Sequence, residues 1–571
     1  MEAKLLSREV RPNTGKPVIG VFAPCDPRID AASRERSINL IKHAADVLAG
    51  KVILPGGAAV DVVYSDVLID AEAQADQVAL QFKEVGVNIL VCVPDTWSFP
   101  QLTTISLLSH FPKDIPVNFT TGNSGTRPGV VYTHATSGAI AQYGKLTHIN
   151  VGKWPDSGQN PEMSSETAKD LIDWCYAAVT FQGLKGKRVV VFGHDSMGME
   201  TALPHVLETR NQFGLEITRL DMKLLADMLK KESYDKEELK KLRSWLENHA
   251  GERIELPDGE KDSELLDQSL ALYLIVRDLM KELDAVGGGF MSQLEWGSDD
   301  RGIQLPVADI MESLFNSDFD HNGPKSVQPF ATEADVQALL TQLFMTWLSG
   351  GNPPLFMDFR KVWEKEDVAE FAAQNGYQAS GNEPWMQKGF VDGVNSGSAS
   401  FNWAAVPGTS EKEVMEKISF PKAVDYFYYL GNSVHFISPG EIKGLAARLA
   451  FSSLSGMFSM IWDEAETVEL PKDLAQKICE GANPTWPHTF VVPKYASMLE
   501  YKQYAPANHF HMTWDLEPAR LQFWMDFCNV LSVAPWNARP QFIEGKDRPM
   551  PLLYLLNGGE DVTKKLKAGK A

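Results

Sequence analysis

The alternation of apolar and polar stretches sets the first expectations. Pro17–Cys25 (PVIGVFAPC) is a short apolar run followed by Asp and Pro, which reads as a buried strand. Ala31–Leu48 follows with apolar residues at helical spacing: Ile38, Leu40, Ile41, Ala44, Ala45 and Leu48. Lys51–Leu54 and Asp61–Tyr64 read as strands, Ala71–Lys83 as a helix, and Val87–Val93 (VNILVCV) as another continuous apolar strand. Strands that alternate with helices predict a parallel sheet covered on both faces.

The pattern then restarts. Ser164–Gln182 is helical, with Ser164 or Ser165 placed as N-cap and Glu166 nearby. Gly186–Gly193 (GKRVVVFG) is a strand that runs into the loop His194–Gly198. Asp221–Glu247 is rich in Lys and Glu and reads as solvated helices. Glu252–Asp262 is a polar loop, and Glu264–Glu282 is a long amphipathic helix. Glu333–Leu348 reads as a helix stopped by Gly350 and Gly351, with Thr332 as its cap and Glu333 in its first turn. Pro354–Phe359 (PLFMDF) is a short strand ended by Asp358. Beyond it the texture changes. Gly389–Asn402 is rich in Gly, Ser and Asn, while Tyr426–Ile437 and Lys443–Trp462 are aromatic and β-branched with frequent turns. The expected architecture is α/β, with two Rossmann-like parallel-sheet domains (1–162 and 163–348) followed by a mainly antiparallel β domain (349–571). The Lys-rich end Thr563–Ala571 is expected to fray.

Composition narrows the function. The chain has 571 residues, 44% hydrophobic and 23% charged, with a formal net charge of −21. Such a field repels phosphate backbones and argues against a nucleic-acid partner. The five cysteines are odd in number and form no C-x-x-C pair, which argues against a disulfide framework or a thiolate zinc site. Neither a secretory apolar run at the N-terminus nor an 18-residue apolar stretch occurs, so the expectation is a soluble cytoplasmic protein that crosses no membrane. The chain has no P-loop motif, no H-E-x-x-H and no G-x-S-x-G. The Gly193–Gly198 loop (GHDSMG) is not a G-x-G-x-x-G. It reads as a tight strand-to-helix turn, as a partial phosphate cradle, or as a cleft edge lined by Met197.

Three residues in the C-terminal half could carry chemistry. Glu333 is an early helical carboxylate, Asp358 is an acid at a strand end, and His509 lies in Ala507-Asn508-His509. Each has a plain structural alternative: dipole compensation, a turn cap and a packed histidine. His511 follows so closely that spacing does not choose between the two. Together Glu, Asp and His make a hard-to-borderline N,O set suited to Mn²⁺, Mg²⁺, Co²⁺ or Fe²⁺, but their separations follow no known code.

A set of short segments, in order along almost the whole chain, adds to this. They are Gly193–Gly198, Gly289–Trp296 (GFMSQLEW), Phe319–Gly323 (FDHNG), Phe330–Asp335 (FATEAD), Phe356–Arg360 (FMDFR), Val394–Ala399 (VNSGSA), Val468–Pro471, Thr485–Pro487 (TWP) and Ala507–His509 (ANH). In these the chain resembles the L-fucose isomerase family. The resemblance implies a divalent-metal aldose–ketose isomerase, usually with Mn²⁺, held by Glu333, Asp358 and His509. The two carboxylates would double as acid and base through an enediol, and the protein would be a hexamer. It also implies sugar contacts at Gln293, Ser396, Trp486 and Asn508, with Trp97 and, by a looser match, Arg28 entering a neighbour's site. For Trp97 core packing is the equal alternative. Three departures fall near the implied pocket: Met291 where the family often has glutamine, Asn432 near an aromatic position, and Phe510–Trp514 in place of small residues. They leave the sugar open among L-fucose, D-arabinose and a related aldose, including a 6-substituted one. A non-catalytic sugar-binding protein of the same fold is the alternative.

Overall fold

The computed structural model describes residues 16–145, 147–195, 198–291, 305–377, 380–396, 399–423, 430–452 and 456–536. Met197, Gln293, the segment 424–429 and the Lys-rich end fall outside the described residues. The chain divides into two compact units. One comprises Pro12–Lys185 with Ala519–Cys528; the other comprises Gly186–Pro518 with the residues from Asn529 onward.

The first unit is built on five parallel strands: β1 (Val18–Phe22), β2 (Asp61–Tyr64), β3 (Ile89–Cys92), β4 (Val117–Gly122) and β5 (His148–Gly152), in the order β2-β1-β3-β4-β5. β1, β3 and β4 are buried along their whole length; β1 and β3 are unbroken apolar runs, as strands covered by helices on both faces require, while β4 also buries Asn118, Thr120 and Thr121. Helix α1 (Ala31–Leu48) starts where the Asp30 carboxylate accepts from Ser33 N at 2.7 Å. Helices α2 (Glu72–Glu84) and α3 (Gly129–Gln142) follow β2 and β4. Helix α4 (Ser165–Leu184), capped by Ser164, buries Leu171, Trp174, Cys175 and Ala178 in the core of this same unit. The compact unit therefore runs to Lys185 and does not end near residue 162. Strand order reverses between β1 and β3, and ligands of such sheets gather outside the carboxyl ends at that point.

The second unit opens with another parallel sheet. Its strands are β6 (Arg188–Phe192), β7 (Glu216–Leu220), β8 (Ala285–Phe290) and β9 (Phe330–Ala331), in the order β9-β8-β6-β7. Helix α5 (Val206–Phe213) follows the Gly193–Gly198 region after a single 3₁₀ turn. The Lys/Glu-rich stretch forms helices at Met222–Lys230 and Lys236–Ala250. Helix α6 (Glu260–Glu282) is buried through its centre, and α7 (Asp309–Asn316) is buried at every residue. Strand β8 carries three consecutive glycines for a reason of space. A Cβ at Gly287 would stand 2.8 Å from Pro329 O, and one at Gly289 2.9 Å from Ala331 O.

Helix α8 (Val336–Leu348) leads from this sheet to a β barrel. Its strands are β10 (Leu355–Trp363), β11 (Phe390–Val394), β12 (Lys443–Ser452), β13 (Met457–Thr467), β14 (His488–Pro493) and β15 (His509–Trp514). They pair antiparallel around a closed ring, β10-β11-β14-β13-β12-β15. Helix α9 (Pro518–Cys528) follows in the chain and from Ala519 belongs to the first unit, and β16 (Leu531–Val533) joins β13 in parallel. Helix α8 lies against β12: Thr341 Oγ1 accepts from Leu449 N and Gln337 Oε1 from Phe451 N, both at 3.0 Å. The expected fold class, two parallel α/β sheets before a mainly antiparallel β region, describes the molecule. All five cysteines are free and buried. Among the described residues no helix is long and apolar enough to cross a membrane.

The close backbone approach at β8 gives a stability prediction. Gly289→Ala is expected to cost about 1–3 kcal/mol, because the crowding atoms are backbone and cannot swing aside. Gly481→Ala, in a helix with open space around the added carbon, is expected to hold or raise the unfolding midpoint. Thermal unfolding of the two variants beside the parent protein checks this.

Candidate active site

Glu333 is delivered by β9. Asn316, at the end of α7, clamps Phe330 by both backbone groups: its Oδ1 accepts from Phe330 N at 3.0 Å and its Nδ2 donates to Phe330 O at 2.8 Å. Thr332 Oγ1 then donates to Glu312 Oε2 at 2.5 Å. The chain turns through left-handed backbone at Glu333 (φ 61°) and Ala334 (φ 50°), which non-glycine residues adopt at a cost. The expectation that Thr332 caps a helix with Glu333 in its first turn is therefore corrected. The helix begins at Val336, and the cap is Asp335, whose Oδ1 accepts from Ala338 N at 2.9 Å. The Thr332 hydroxyl is engaged by Glu312, and the left-handed turn keeps Glu333 out of the helix.

Asp358 and His509 come from the barrel. Asp358 does not end its strand: β10 continues to Trp363, paired with β15 over Leu355–Asp358 and with β11 from Asp358 onward. The register places Asp358 opposite Val394 on one side and His509 on the other. His509 is the first residue of β15, where the sequence reading had a loop.

The three side chains meet at one imidazole nitrogen. His509 Nε2 lies 3.1 Å from Asp358 Oδ1 and 3.4 Å from Glu333 Oε2. Its Nδ1 lies 2.7 Å from Asp335 Oδ2. Asp335 also receives the Arg448 fork, Nη1 to Oδ2 at 2.8 Å and Nη2 to Oδ1 at 3.1 Å. Asp335, Arg448 and His509 have side chains 0% exposed, whereas Asp358 is 27% exposed, so the cluster opens on the Asp358 side.

The proton affinities follow. Burial works against the charge on Asp335, but Arg448 and His509 hold its carboxyl well below the usual range. Burial also opposes charge on His509, but Asp358, Asp335 and Glu333 together push it well above an ordinary histidine. Burial raises the Glu333 carboxyl; His509 opposes this, and Asp358 and Asp335 add to it. The groups titrate as a coupled set. His511 differs: burial and Arg448 hold it well below its usual value, and it receives Arg448 Nη1 at 3.4 Å. Spacing left the choice between the two histidines open; the one facing both carboxylates is His509.

This set could hold a divalent cation. Asp335 fixes the imidazole tautomer and leaves Nε2 toward the carboxylates, as outer carboxylates do for metal-ligating histidines. Adjacent ligands of an octahedral ion with bonds of about 2.1 Å stand roughly 3 Å apart. The two separations from Nε2 are of that size. As the side chains stand, no group of three or more His, Cys, Asp or Glu among the described residues is arranged to hold a metal ion; both carboxylates lie against His509 Nε2 itself.

The other sequence-selected residues divide. Asn508 Nδ2 is 2.8 Å from His509 Nε2, inside the cluster. Ser396 is buried two residues past Val394, at the end of β11. Trp486 is half-buried; its indole bonds the Asp309 carboxylate, which also accepts from Ser433 Oγ at 2.5 Å and is pushed by burial up to about 6. The Trp486 loop is braced by His488, with Nδ1 2.9 Å from Asp392 and Nε2 3.0 Å from Asn483 O. Met197 and Gln293 lie outside the described residues. Trp97 and Arg28 belong to the first unit. Trp97 packs edge-on to Phe99 and Tyr132 and lines a cavity of about 410 Å³ with Asp26, Thr96, Arg127 and Asp156, at the carboxyl ends of β1, β3 and β4. Arg28 is largely exposed and held by Asp26. Of the departures, Met291 is buried with its sulfur 3.3 Å from His194 N. Asn432 donates to Glu255 O and Phe420 O, a brace between loops.

Sequence reasoning missed Asp335, Arg448 and Asp309 as parts of this assembly. Asp335 had a signal, because an aspartate three residues before Ala338 fits an N-cap. Arg448 had one too, as a lone charge inside the apolar run Gly444–Phe451 that demands a buried partner.

Comparison with known proteins adds an independent line. A family model for the first N-terminal domain of L-fucose isomerase matches residues 16–186, and one for its second N-terminal domain matches 187–350, together more than half of the chain. Their junction coincides with the boundary between the two compact units. The chain is 27% identical over 517 positions to L-fucose isomerase of Vibrio vulnificus, covering 83% of this chain and 85% of that one. It is 25% identical to that of Haemophilus influenzae, covering 93% and 96%, and 25% identical to that of Streptococcus pneumoniae, covering 85% and 86%.

The buried ion pair gives a second prediction. Asp335→Ala leaves Arg448 charged and unpaired in the interior and is expected to destabilise by about 3–5 kcal/mol. Asp335→Ala combined with Arg448→Met removes both charges and is expected to recover part of that loss. Chemical denaturation of the single and double variants measures both.

Proposed function

Because the chain belongs to the L-fucose isomerase family and is an aldose–ketose isomerase by class, we propose that it acts through a divalent cation held by Glu333, Asp358 and His509, Mn²⁺ first and Mg²⁺ or Co²⁺ as substitutes. The observation that carries this reading is the meeting of two carboxylates at His509 Nε2, with Nδ1 fixed by Asp335. Bound there, the ion would polarise the substrate carbonyl and its neighbouring hydroxyl and so lower the cost of the enediol.

The residues do the rest. Glu333 and Asp358 are the acid and base: one removes the proton from the carbon beside the carbonyl, and one returns a proton to the adjacent carbon. Their unequal surroundings, Glu333 deep in the cluster and Asp358 at its open side, support a division of labour. Asp335 holds the imidazole still, so that His509 serves as a ligand and does not take the substrate's proton. Asn508 and Ser396 meet sugar hydroxyls. Trp486, fixed through its indole by Asp309, offers an aromatic face to the sugar's C–H face. Gln293 and Met197 are assigned to substrate binding from the sequence alone, Gln293 by the family resemblance and Met197 by its loop at the strand end.

The substrate is L-fucose, D-arabinose or a related aldose, with a 6-substituent allowed. The protein is a homo-oligomer, a hexamer in the fullest form of this reading. Its first α/β domain carries Trp97 and Arg28 to a neighbour's site, its second carries Glu333, and the β domain carries Asp358 and His509. The place of action is the cytoplasm. The cavity around Trp97 at the β1/β3 switch point supports a ligand-facing role for that residue.

Chelator-stripped protein is expected to form no ketose, and added Mn²⁺ to restore it, across a panel of aldoses that includes L-fucose, D-arabinose and a 6-substituted glucose. Glu333→Gln is expected to lose at least about 10²-fold in kcat while still binding sugar. Sugar binding without ketose from the metal-loaded parent protein would point instead to a non-catalytic sugar-binding protein of the same fold.

A further inference from the structure

At the end of β11, beside the catalytic cluster, two consecutive residues bury polar atoms without a hydrogen-bond partner: Asn395 through Oδ1 and Nδ2, and Ser396 through Oγ. Asn395 is 0% exposed and Ser396 4%. A buried amide with neither end paired is rare in a folded protein, because it has lost water and gained nothing in return. Its place in the chain is equally specific. The preceding residue, Val394, stands opposite Asp358 in the β10–β11 register. Asn395 N donates to Pro487 O at 2.9 Å, so the residue is tied to the one following Trp486. Asn395 thus sits between a carboxylate of the cluster and the aromatic wall. Asp392, three residues earlier, is paired with His488.

We propose that Asn395 is a specificity-determining residue: its amide reads a pair of adjacent hydroxyls on the sugar, beyond the two carbons between which hydrogen moves. The fit is chemical. A primary amide presents an acceptor and a donor side by side, and vicinal hydroxyls present the complementary pair. Ser396 Oγ extends the same row by one group. A site built this way turns away an analogue that lacks the hydroxyl, because the amide would then stay buried and unpaired. This inference rests on the isomerase reading and adds to it the part of the substrate that selects.

The test uses the full-length, metal-loaded protein, the preferred aldose, and its 3-deoxy and 4-deoxy counterparts. The parent protein is expected to lose at least about 10³-fold in kcat/KM on one deoxy sugar. Asn395→Ala is expected to lose about 10²-fold on the preferred aldose and almost nothing on that deoxy sugar, so that discrimination collapses. Asn395→Leu, close in shape and without polar atoms, repeats the comparison should the alanine variant fold poorly. Discrimination unchanged in the variants, or equal losses on both sugars, would overturn the proposal and leave the amide to an internal water. Should the parent protein form no ketose from any aldose, the isomerase reading fails separately. The same pairs are then compared by dissociation constant, and equal affinity of the parent protein for aldose and deoxy sugar overturns the proposal.

Discussion

One carboxylate organises the candidate site. Asp335 caps helix α8 through Ala338 N, takes both arms of the Arg448 fork, and fixes the His509 ring through Nδ1. Each contact belongs to a different part of the second unit: the helix that follows the parallel sheet, strand β12, and strand β15. A charge with 0% exposure is tolerable only when every lone pair is engaged. Asp335 therefore ties the register of the barrel to the start of the helix. The direction in which His509 points its Nε2 is a consequence of that satisfaction.

The approach of Glu333 depends on a second constraint, one of space. The glycines of β8 let the backbone of residues 329–331 come close, and Asn316 locks Phe330 in that position. The chain must then leave the sheet and enter α8 within a few residues. It does so through two left-handed residues, Glu333 and Ala334. Such strain persists only where the surroundings over-determine it. Here the Thr332–Glu312 bond on one side and the Asp335 cap on the other do so.

Much of this was legible in the sequence. Continuous apolar runs such as Val18–Phe22 and Val189–Phe192 gave buried parallel strands, and the change in texture after residue 359 marked the β region. The helix Ser165–Leu184 was placed correctly along the chain. Its allegiance to the first unit was not, because an apolar helix face does not say which sheet it covers. The details of the cluster were hidden for a similar reason. Thr332 and Asp335 are both good caps, and only the tertiary bond from Thr332 to Glu312 decides between them. Asp358 looked like a strand end because the polar residues after it, Arg360 and Lys361, face solvent on a strand that continues. His509 and His511 share a face of β15 and separate only by their partners, carboxylates for one and a guanidinium for the other.

The central claim is that Asp335 prepares His509 Nε2, Glu333 and Asp358 to share one divalent ion. Anomalous scattering from crystals grown with Mn²⁺ tests it most directly. The account predicts one strong peak per chain within bonding distance of His509 Nε2, Glu333 and Asp358, with Asp335 still bonded to Nδ1. A peak ligated elsewhere in an active enzyme, or none at this cluster, would contradict it.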